Sequence, residues 1–450
     1  MKFTASEVAL ATGGTVPPSL AEVVVEGATQ DSRTVSAGQL FIPLIAERDG
    51  HDFIANAVEA GAAGFLTDRT IDDIGGDAVA VRVADTTEAL RELGRAARNK
   101  IEGPVVAITG SVGKTSTKDL LASVLSQAGP TWASTKSFNN EIGVPLTLIN
   151  AAEGTHFAVV EMGARGIGHI ELLCGIAAPT VGVVTTVAAA HTSEFGTVEN
   201  IAVAKGELIE ALPGDGLAVL NADNPLVAAM SSRTNAEVVT FGHSEGSDVR
   251  IVTTELDDQL RATFELHTKW GTITAQPATR GAHMDTNVAA AVAAGLWLGV
   301  EPAAVAQGLK DAQPSPWRME VSTATSGAMI INDSYNANPT SMRGALASLS
   351  ALPHDRKVAV LGYMGELGES EVSAHLTIAA EFADAGIEVI AVGTELYGIE
   401  PTEDPQLLLD AVGAETAILV KGSRSAGLEQ VALALRGTSC LLYTSDAADE

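Results

Sequence analysis

No segment of this chain constrains its fold more than residues 104–128. Val105-Val-Ala-Ile-Thr109 is an apolar, β-branched run, Gly110-Ser-Val-Gly113-Lys114-Thr115 is a turn, and Ser116–Ala128 carries helical periodicity. Glycines in such a turn let backbone N–H groups face phosphate oxygens, and the N-terminus of the following helix adds a favourable dipole. Lys114 is placed to reach β/γ-phosphates and the Thr115 hydroxyl to hold Mg²⁺. The strict G-x-x-x-x-G-K-[ST] spacing is not met, because Ile108 stands where its first glycine belongs. A Gly-Lys-Thr between a buried strand and a helix still predicts a chain that binds and spends a nucleoside triphosphate.

Length and charge narrow what surrounds that loop. With 450 residues, about three domains are expected. Hydrophobic residues make up 46% and aromatics only 4%, so Ala, Val, Leu, Ile and Gly fill the interior, as suits helices packed on parallel strands. The net charge of −29 argues against nucleic acid as a partner, which requires a basic footprint. An anionic ligand must therefore meet a local island of cations or of backbone N–H groups. Of ten lysines, Lys114, Lys205 and Lys421 fall inside candidate motifs. Cys174 and Cys440 are too few for a disulfide framework or a zinc site. The N-terminus has no apolar h-region and no run approaches the ~20 apolar residues of a membrane span, so a cytoplasmic, monomeric protein is expected.

Three blocks emerge, giving an α/β class. Residues 1–100 mix short strands (Val23–Val25, Leu40–Pro43, Gly64–Thr67, Ala78–Val83) with helices at Ile54–Ala60 and Thr87–Lys100. Residues 101–312 alternate buried-strand runs, among them Phe157–Glu161, Thr180–Thr186 and Gly216–Leu220, with helices, and read as a P-loop ATPase-like parallel sheet domain. Residues 248–276 resemble an antiparallel appendage, and the helix Thr286–Leu298 returns to the core. After a linker at Gln313-Pro-Ser-Pro316, residues 313–439 repeat strand and helix about every 30 residues (Ala328–Asn332, Lys357–Gly362, Val389–Gly393, Ala417–Lys421), a Rossmann-like domain. Its Gly362, Gly365 and Gly368 do not form the dinucleotide fingerprint, so no nicotinamide site is expected. The last eleven residues, 440–450, read as translated sequencing-adapter sequence outside the fold.

The loop style, with Ile108 in place of the early glycine, resembles that of the ATP-dependent peptidoglycan peptide ligases, the Mur ligases, and of folylpolyglutamate synthetase. The matching stretches run nearly end to end. They include Asp31-Ser-Arg33, Asp49-Gly-His-Asp-Phe53, Phe138-Asn-Asn-Glu-Ile-Gly-Val-Pro, Glu161-Met-Gly-Ala-Arg165, His191-x-x-x-Phe195-Gly196 and Lys205-Gly-Glu-Leu208. Beyond the linker follow Arg318-Met-Glu320, Asp333-Ser-Tyr-Asn-Ala-Asn-Pro339, Leu361-Gly-x-Met-Gly-Glu-Leu-Gly368 and Lys421-Gly-Ser-Arg424. Within the family the Phe-Asn-Asn and Asp-Ser-Tyr-Asn-Ala-Asn-Pro strings resemble the branch that joins D-alanyl-D-alanine to UDP-N-acetylmuramoyl-tripeptide. The Asp-Asn-Pro-Arg string of the diaminopimelate-adding relatives is absent from the sequence.

The resemblance implies a reaction and a site. Joining a carboxylate to an amine in water is uphill, so the carboxylate attacks the γ-phosphate of ATP and the amine then displaces phosphate from the acyl phosphate. Both steps crowd anions and call for aimed cations. Gly110, Ser111, Val112, Gly113, Lys114, Thr115 and Ser116 would cradle ATP, with Asn287 at the adenine and Arg318 and Asp333 closing from the third domain. Thr115 and Glu161 would hold one Mg²⁺, and His191 with a carbamylated Lys205 a second; Lys114, Glu161, His191 and Lys205 form the expected catalytic set. A carboxylate ending a buried strand, as Glu161 does, needs a partner in any case. Ser32 and Arg33 would contact the uridine diphosphate, and Asn139, Asn140, Asn336, Asn338, Lys421 and Arg424 the peptide and phosphate regions. Two departures stand out: Tyr363 where the family usually carries Asp, and Ser116 in place of a common Thr. Another Mur ligase, a folylpolyglutamate synthetase-like ligase and an ATP-binding regulator remain the alternatives, separable by which substrates ATP consumption requires.

Overall fold

Every residue of the strand Val105–Thr109 is buried, because the sheet to which it belongs is covered on both faces. Its side chains alternate between two cores: Val105 and Ala107 face one, Val106 and Ile108 the other. The computed structural model describes residues 1–70, 77–135, 138–188, 195–402 and 412–437. His191 and the segment 440–450 lie outside them.

The central sheet has nine strands. From one edge they run Thr131–Ala133, Phe157–Glu161, Val105–Thr109, Val181–Val184, Leu217–Asn221, Glu237–Gly242 and Val249–Leu256, all parallel, followed by antiparallel Ala262–Thr268 and Gly271–Ala275. The residues expected to form an antiparallel appendage do pair antiparallel, and they extend this same sheet. Their link to it is short, two register pairs at Phe241↔Val249 and Gly242↔Arg250, which is why the pattern alone reads as a break. Helices Lys114–Ser126, Asp285–Trp297 and Pro302–Asp311 cover one face; Gly143–Ile149, His169–Ala177 and Val198–Glu210 cover the other.

The N-terminal block holds a two-stranded antiparallel pair, Lys2–Thr4 with Val24–Glu26, and a four-stranded parallel sheet of Ala28–Thr29, Leu40–Phe41, Gly64–Thr67 and Val79–Arg82. Its last helix, Thr86–Asn99, buries Leu90 and Leu93 in the core that also contains Val144, Leu148 and Leu173 of the central block. The approach is close: a Cβ on Gly94 would lie 2.5 Å from the Pro145 side chain. Helix Thr86–Asn99 therefore seats the N-terminal block firmly on the central one.

Beyond the linker, Glu320–Thr323, Met329–Asn332, Thr416–Lys421, Arg356–Leu361 and Glu388–Ala391 form a five-stranded sheet, parallel except for the first strand. The four apolar strands expected there are present within a residue or two of their ends. The antiparallel edge strand Glu320–Thr323 is additional; its half-buried, polar Glu-Val-Ser-Thr has no run that announces a strand.

Candidate active site

The phosphate loop opens into a cleft of about 1360 Å³ between the central and C-terminal blocks. Its backbone is pinned to the segment after the neighbouring strand Val181–Val184. The Ser111 N–H donates to the Thr186 carbonyl at 2.8 Å, and the Thr185 hydroxyl donates to the Val112 carbonyl at 2.6 Å. Two glycines are required. Gly110 (φ +153°) would place a Cβ 1.9 Å from Thr185 Oγ1, and Gly113 (φ +90°) one 2.2 Å from Asn287 Oδ1. Gly113 caps the helix Lys114–Ser126 in the left-handed region and leaves the helix's first N–H groups facing the cleft without a side-chain cap.

Thr115 ties three parts of the chain together. Its hydroxyl donates to Glu161 Oε2 at 2.7 Å and accepts from Arg318 Nη2 at 2.9 Å. Glu161, only 1% exposed at the end of its strand, also accepts from Asn139 Nδ2 at 2.9 Å, and its backbone N–H donates to Ser134 Oγ at 3.2 Å. Arg318 crosses from the C-terminal block with Trp317 (φ +60°) and Met319 (φ +52°) on either side of it, both in the left-handed region. Such non-glycine residues cost of order 1–2 kcal/mol each and persist where the surroundings over-determine them. The guanidinium stacks 4.2 Å from the Tyr335 ring centroid, and its buried Nε has no hydrogen-bond partner among the described residues. A guanidinium that reaches the phosphate loop through Nη2 and keeps an unpartnered N–H suits an anion.

Two lysines share the pocket with this group. Lys114 folds back so that Nζ donates to the Gly110 carbonyl at 2.9 Å. Burial lowers its pKa, against which the Glu161 charge pulls upward. Lys205, on helix Val198–Glu210, is 3% exposed and lines the cleft. Burial, with the Lys114 cation near it, drives the amine well below the usual lysine range. It has no hydrogen-bond or ion-pair partner among the described residues. The adjoining motif residues have structural tasks. Glu207 accepts from the N–H groups of Gly168 (2.6 Å) and Glu171 (3.0 Å), capping helix His169–Ala177, and Gly206 leaves room for the Arg233 guanidinium.

Asn287 turns its amide toward the loop helix. Oδ1 accepts from Thr117 at 3.2 Å and Nδ2 lies 3.6 Å from Met284 Sδ. His283, whose burial depresses its pKa, meets Ser348 Oγ at 3.2 Å across the block boundary. Ser116 also lines the cleft.

The remaining expected contacts sort differently. Asn140 accepts from the N–H groups of Ile142 and Gly143, holding the turn that enters a helix, and Asn338 accepts from that of Ser341 as a helix N-cap at the cleft wall. Asn336 accepts from the Ala337 N–H. Lys421, with a side chain 1% exposed, donates to Asp333 Oδ2 at 2.5 Å and the Asn336 carbonyl at 3.0 Å, bracing the loop that carries both. Arg424 lies 4.5 Å over the Trp317 ring and pairs with Glu429 at 2.7 Å. Ser32 and Arg33 are not part of this cleft; the Arg33 guanidinium is engaged by Asp31 at 2.7 Å and is 64% exposed. Tyr363, the departure from the family pattern, lines the cleft and hydrogen-bonds to Glu371, which raises its pKa.

Sequence reasoning passed over the cleft residues Arg91 and His169, and gave Arg165 and Tyr335 no role despite quoting the motifs that contain them. Arg91 pairs with Glu88 one turn away at 3.0 Å, which from sequence reads as an ordinary helix surface pair.

Comparison with known proteins gives the same outline. Residues 108–295 match the family model described as Mur ligase middle domain, and residues 317–445 that described as Mur ligase, glutamate ligase domain. UDP-N-acetylmuramoyl-tripeptide–D-alanyl-D-alanine ligase of Mycobacterium tuberculosis is 39% identical over 412 residues, covering 83% of this chain and 80% of that protein. The Escherichia coli enzyme of the same name is 34% identical over 432 residues, covering 92% and 95%. Among solved structures, MurF from Acinetobacter baumannii superposes with a TM-score of 0.86 at 30% identity, covering 97% of this chain and 99% of that one. The MurF ligase from Thermotoga maritima, solved in complex with ADP, gives 0.80 at 28% identity, covering 92% and 98%.

Proposed function

The chain belongs to the Mur ligase family, and on that premise we propose that it is the ATP-dependent ligase that joins D-alanyl-D-alanine to UDP-N-acetylmuramoyl-tripeptide in peptidoglycan precursor synthesis. The observation that carries the site assignment is the Glu161–Thr115–Arg318 contact, in which the loop hydroxyl donates to a carboxylate at 2.7 Å and accepts from a cation of the C-terminal block at 2.9 Å. ATP fits the loop: the paired glycines, the uncapped helix N-terminus and the orphaned Arg318 Nε supply what a polyphosphate needs.

Mg²⁺ fits the donor set at Thr115 and Glu161. A small hard cation takes one or two carboxylates together with substrate phosphates and water. When bound, the ion neutralises charge gathering on the phosphates. His191 and Lys205 are the candidates for a second ion; Lys205 would serve after its neutral amine takes up carbon dioxide, forming a carbamate and releasing a proton.

The protein's own residues then divide the work. The loop N–H groups and Lys114 hold the phosphates while the tripeptide's terminal carboxylate attacks the γ-phosphorus and ADP leaves. Arg318 stabilises the transferring charge and, with its block packed over the cleft, keeps water from the acyl phosphate. The D-alanyl-D-alanine amine then attacks the acyl carbon, phosphate departs, and the amine's proton passes to solvent or a cleft base. The test is phosphate release from ATP with mass spectrometry of the product. Release that requires both UDP-N-acetylmuramoyl-tripeptide and D-alanyl-D-alanine, and a product joining them, is expected. Release with neither substrate, or a product extended by a single amino acid, would overturn the reading.

A further inference from the structure

A path of hydrogen bonds, half-buried at the linker and buried at Glu161, runs from the interdomain linker to Glu161 without passing through the loop. The Ser315 N–H, in the linker, donates to Asp119 Oδ2 at 2.8 Å. Asp119 Oδ1 pairs with Lys118 Nζ at 3.1 Å, and these side chains are 10% and 3% exposed. Lys118 Nζ donates to the Ser134 carbonyl at 2.8 Å, and Ser134 Oγ accepts from the Glu161 N–H at 3.2 Å. Glu161 in turn binds Thr115, which receives Arg318, three residues past Ser315. The path is therefore a closed circuit whose two ends are both attached to the linker.

We propose that Asp119 is a positioning residue for the ligase reaction: it anchors the linker to the loop helix so that Arg318 arrives on Thr115 while Glu161 is held in place. The physical reason lies in its two bonds. Lys118 and Asp119 follow each other on the loop helix, where successive side chains diverge, yet here they meet as a buried ion pair. A buried pair of this kind is poor value for stability alone but costly to break from one side, and its better-attested use is fixing one arrangement among several. The linker needs such fixing. Trp317 and Met319 hold left-handed conformations that an untethered chain would leave. Asp119 provides an acceptor for a backbone N–H two residues before that strained pair, and Arg318 lies between its two members.

This inference rests on the ligase reading, so its test combines activity with a measurement that does not need turnover. Dyes on the central and C-terminal blocks report closure when ADP is added, and a fluorescent ADP reports affinity. In Asp119→Ala, nucleotide affinity stays within about threefold of wild type, while closure is lost and kcat falls at least tenfold. In an Arg318→Ala background the same substitution lowers kcat less than twofold, because both act on one step. Ser315→Pro, which removes the donor N–H and leaves the central block untouched, reproduces the closure defect, so the inference stays testable where Asp119→Ala fails to fold. Normal closure in Ser315→Pro, or fully additive losses with Arg318→Ala, would refute it. Wild-type closure without ligase activity would instead count against the reading of function.

Discussion

Glu161→Gln separates catalysis from stability, and its size can be worked from the contacts. The carboxylate accepts from Thr115 at 2.7 Å and from Asn139 at 2.9 Å. Glutamine keeps the shape but supplies one acceptor and one donor group, so one contact becomes donor against donor until Asn139 flips or Thr115 rotates. Losing one hydrogen bond to a charged group costs about 1.5–3 kcal/mol. Against this, an almost fully buried charge is removed, and its desolvation cost of several kcal/mol disappears. The two effects oppose, so the net change in stability stays below about 2 kcal/mol. Catalysis has no such offset. Loss of a single aimed electrostatic group in a closed site costs of order 100- to 1,000-fold in kcat, about 2.7–4 kcal/mol.

The assay is two-substrate phosphate release, run beside thermal unfolding with and without ADP. The expected result is a kcat at least 100-fold lower with a melting temperature changed by only a few degrees. Raising Mg²⁺ should recover part of the rate if Glu161 acts through the metal. A variant within threefold of wild type would refute the assignment of Glu161 to the reacting site; one that fails together with its melting transition would assign it to the fold.

Other perturbations test other parts. Lys205→Ala should lose activity and regain part of it with small carboxylates, and peptide mass analysis of native protein should find Lys205 carrying a carboxylate; an unmodified amine with no rescue ends the carbamate idea. Gly113→Ala forces a φ of +90° on a residue with a Cβ and pushes on Asn287, at a strain of ~1–2 kcal/mol plus the displaced contact; ADP affinity by calorimetry should fall about tenfold or more, and an unchanged affinity would mean that the loop does not hold the nucleotide as described. Asp49 is held to about 2 by the His51 backbone and side chain and then by Arg69. A depressed carboxylate stabilises above its unfolded pKa and loses that contribution as pH falls through the folded value. The stability gap between wild type and Asp49→Asn, read from denaturant midpoints, should therefore be constant above about pH 5 and close between pH 4 and 2; a gap that persists at pH 2 would contradict the pairing.

What the sequence made legible follows from burial and distance along the chain. Strands such as Val105–Thr109 and Phe157–Glu161 are buried on both faces and announce themselves as continuous apolar runs. Thr131–Ala133 and Glu320–Thr323 are half-buried edge strands of three and four residues, and nothing in their pattern separates them from loop. The loop residues could be read because their chemistry is local. Arg318 meets Thr115 across 203 residues; family resemblance pointed Arg318 at the nucleotide phosphates, and no local pattern announces its contact with the Thr115 hydroxyl. Asn140 and Asn338, both on the cleft wall, also carry a local structural signal. Asn338 precedes Pro339 and a helical run and caps that helix, and Asn140 accepts from the Ile142 and Gly143 N–H groups at the turn into Gly143–Ile149.

The distribution of charge connects the fold to its substrates. The chain has 27 basic and 56 acidic residues, yet the cleft is lined by eight Lys or Arg (Arg91, Lys114, Arg165, Lys205, Arg280, Arg318, Lys421 and Arg424) and five Asp or Glu. Basic residues are thus a third of all Lys, Arg, Asp and Glu in the chain but well over half of those in the cleft. Two of those lysines, half-buried Lys114 and buried Lys205, are destabilised as cations, a cost that proton loss, an incoming polyanion or a covalent change relieves. Lys421, by contrast, is already neutralised by Asp333 and supports the wall. A molecule that is acidic almost everywhere repels its own anionic substrates at long range. It binds them where cations and backbone N–H groups are concentrated and partly desolvated. Substrate association should then quicken as salt screens the acidic surface, whereas binding inside the cleft, shielded by burial, should weaken much less than an exposed ion pair would.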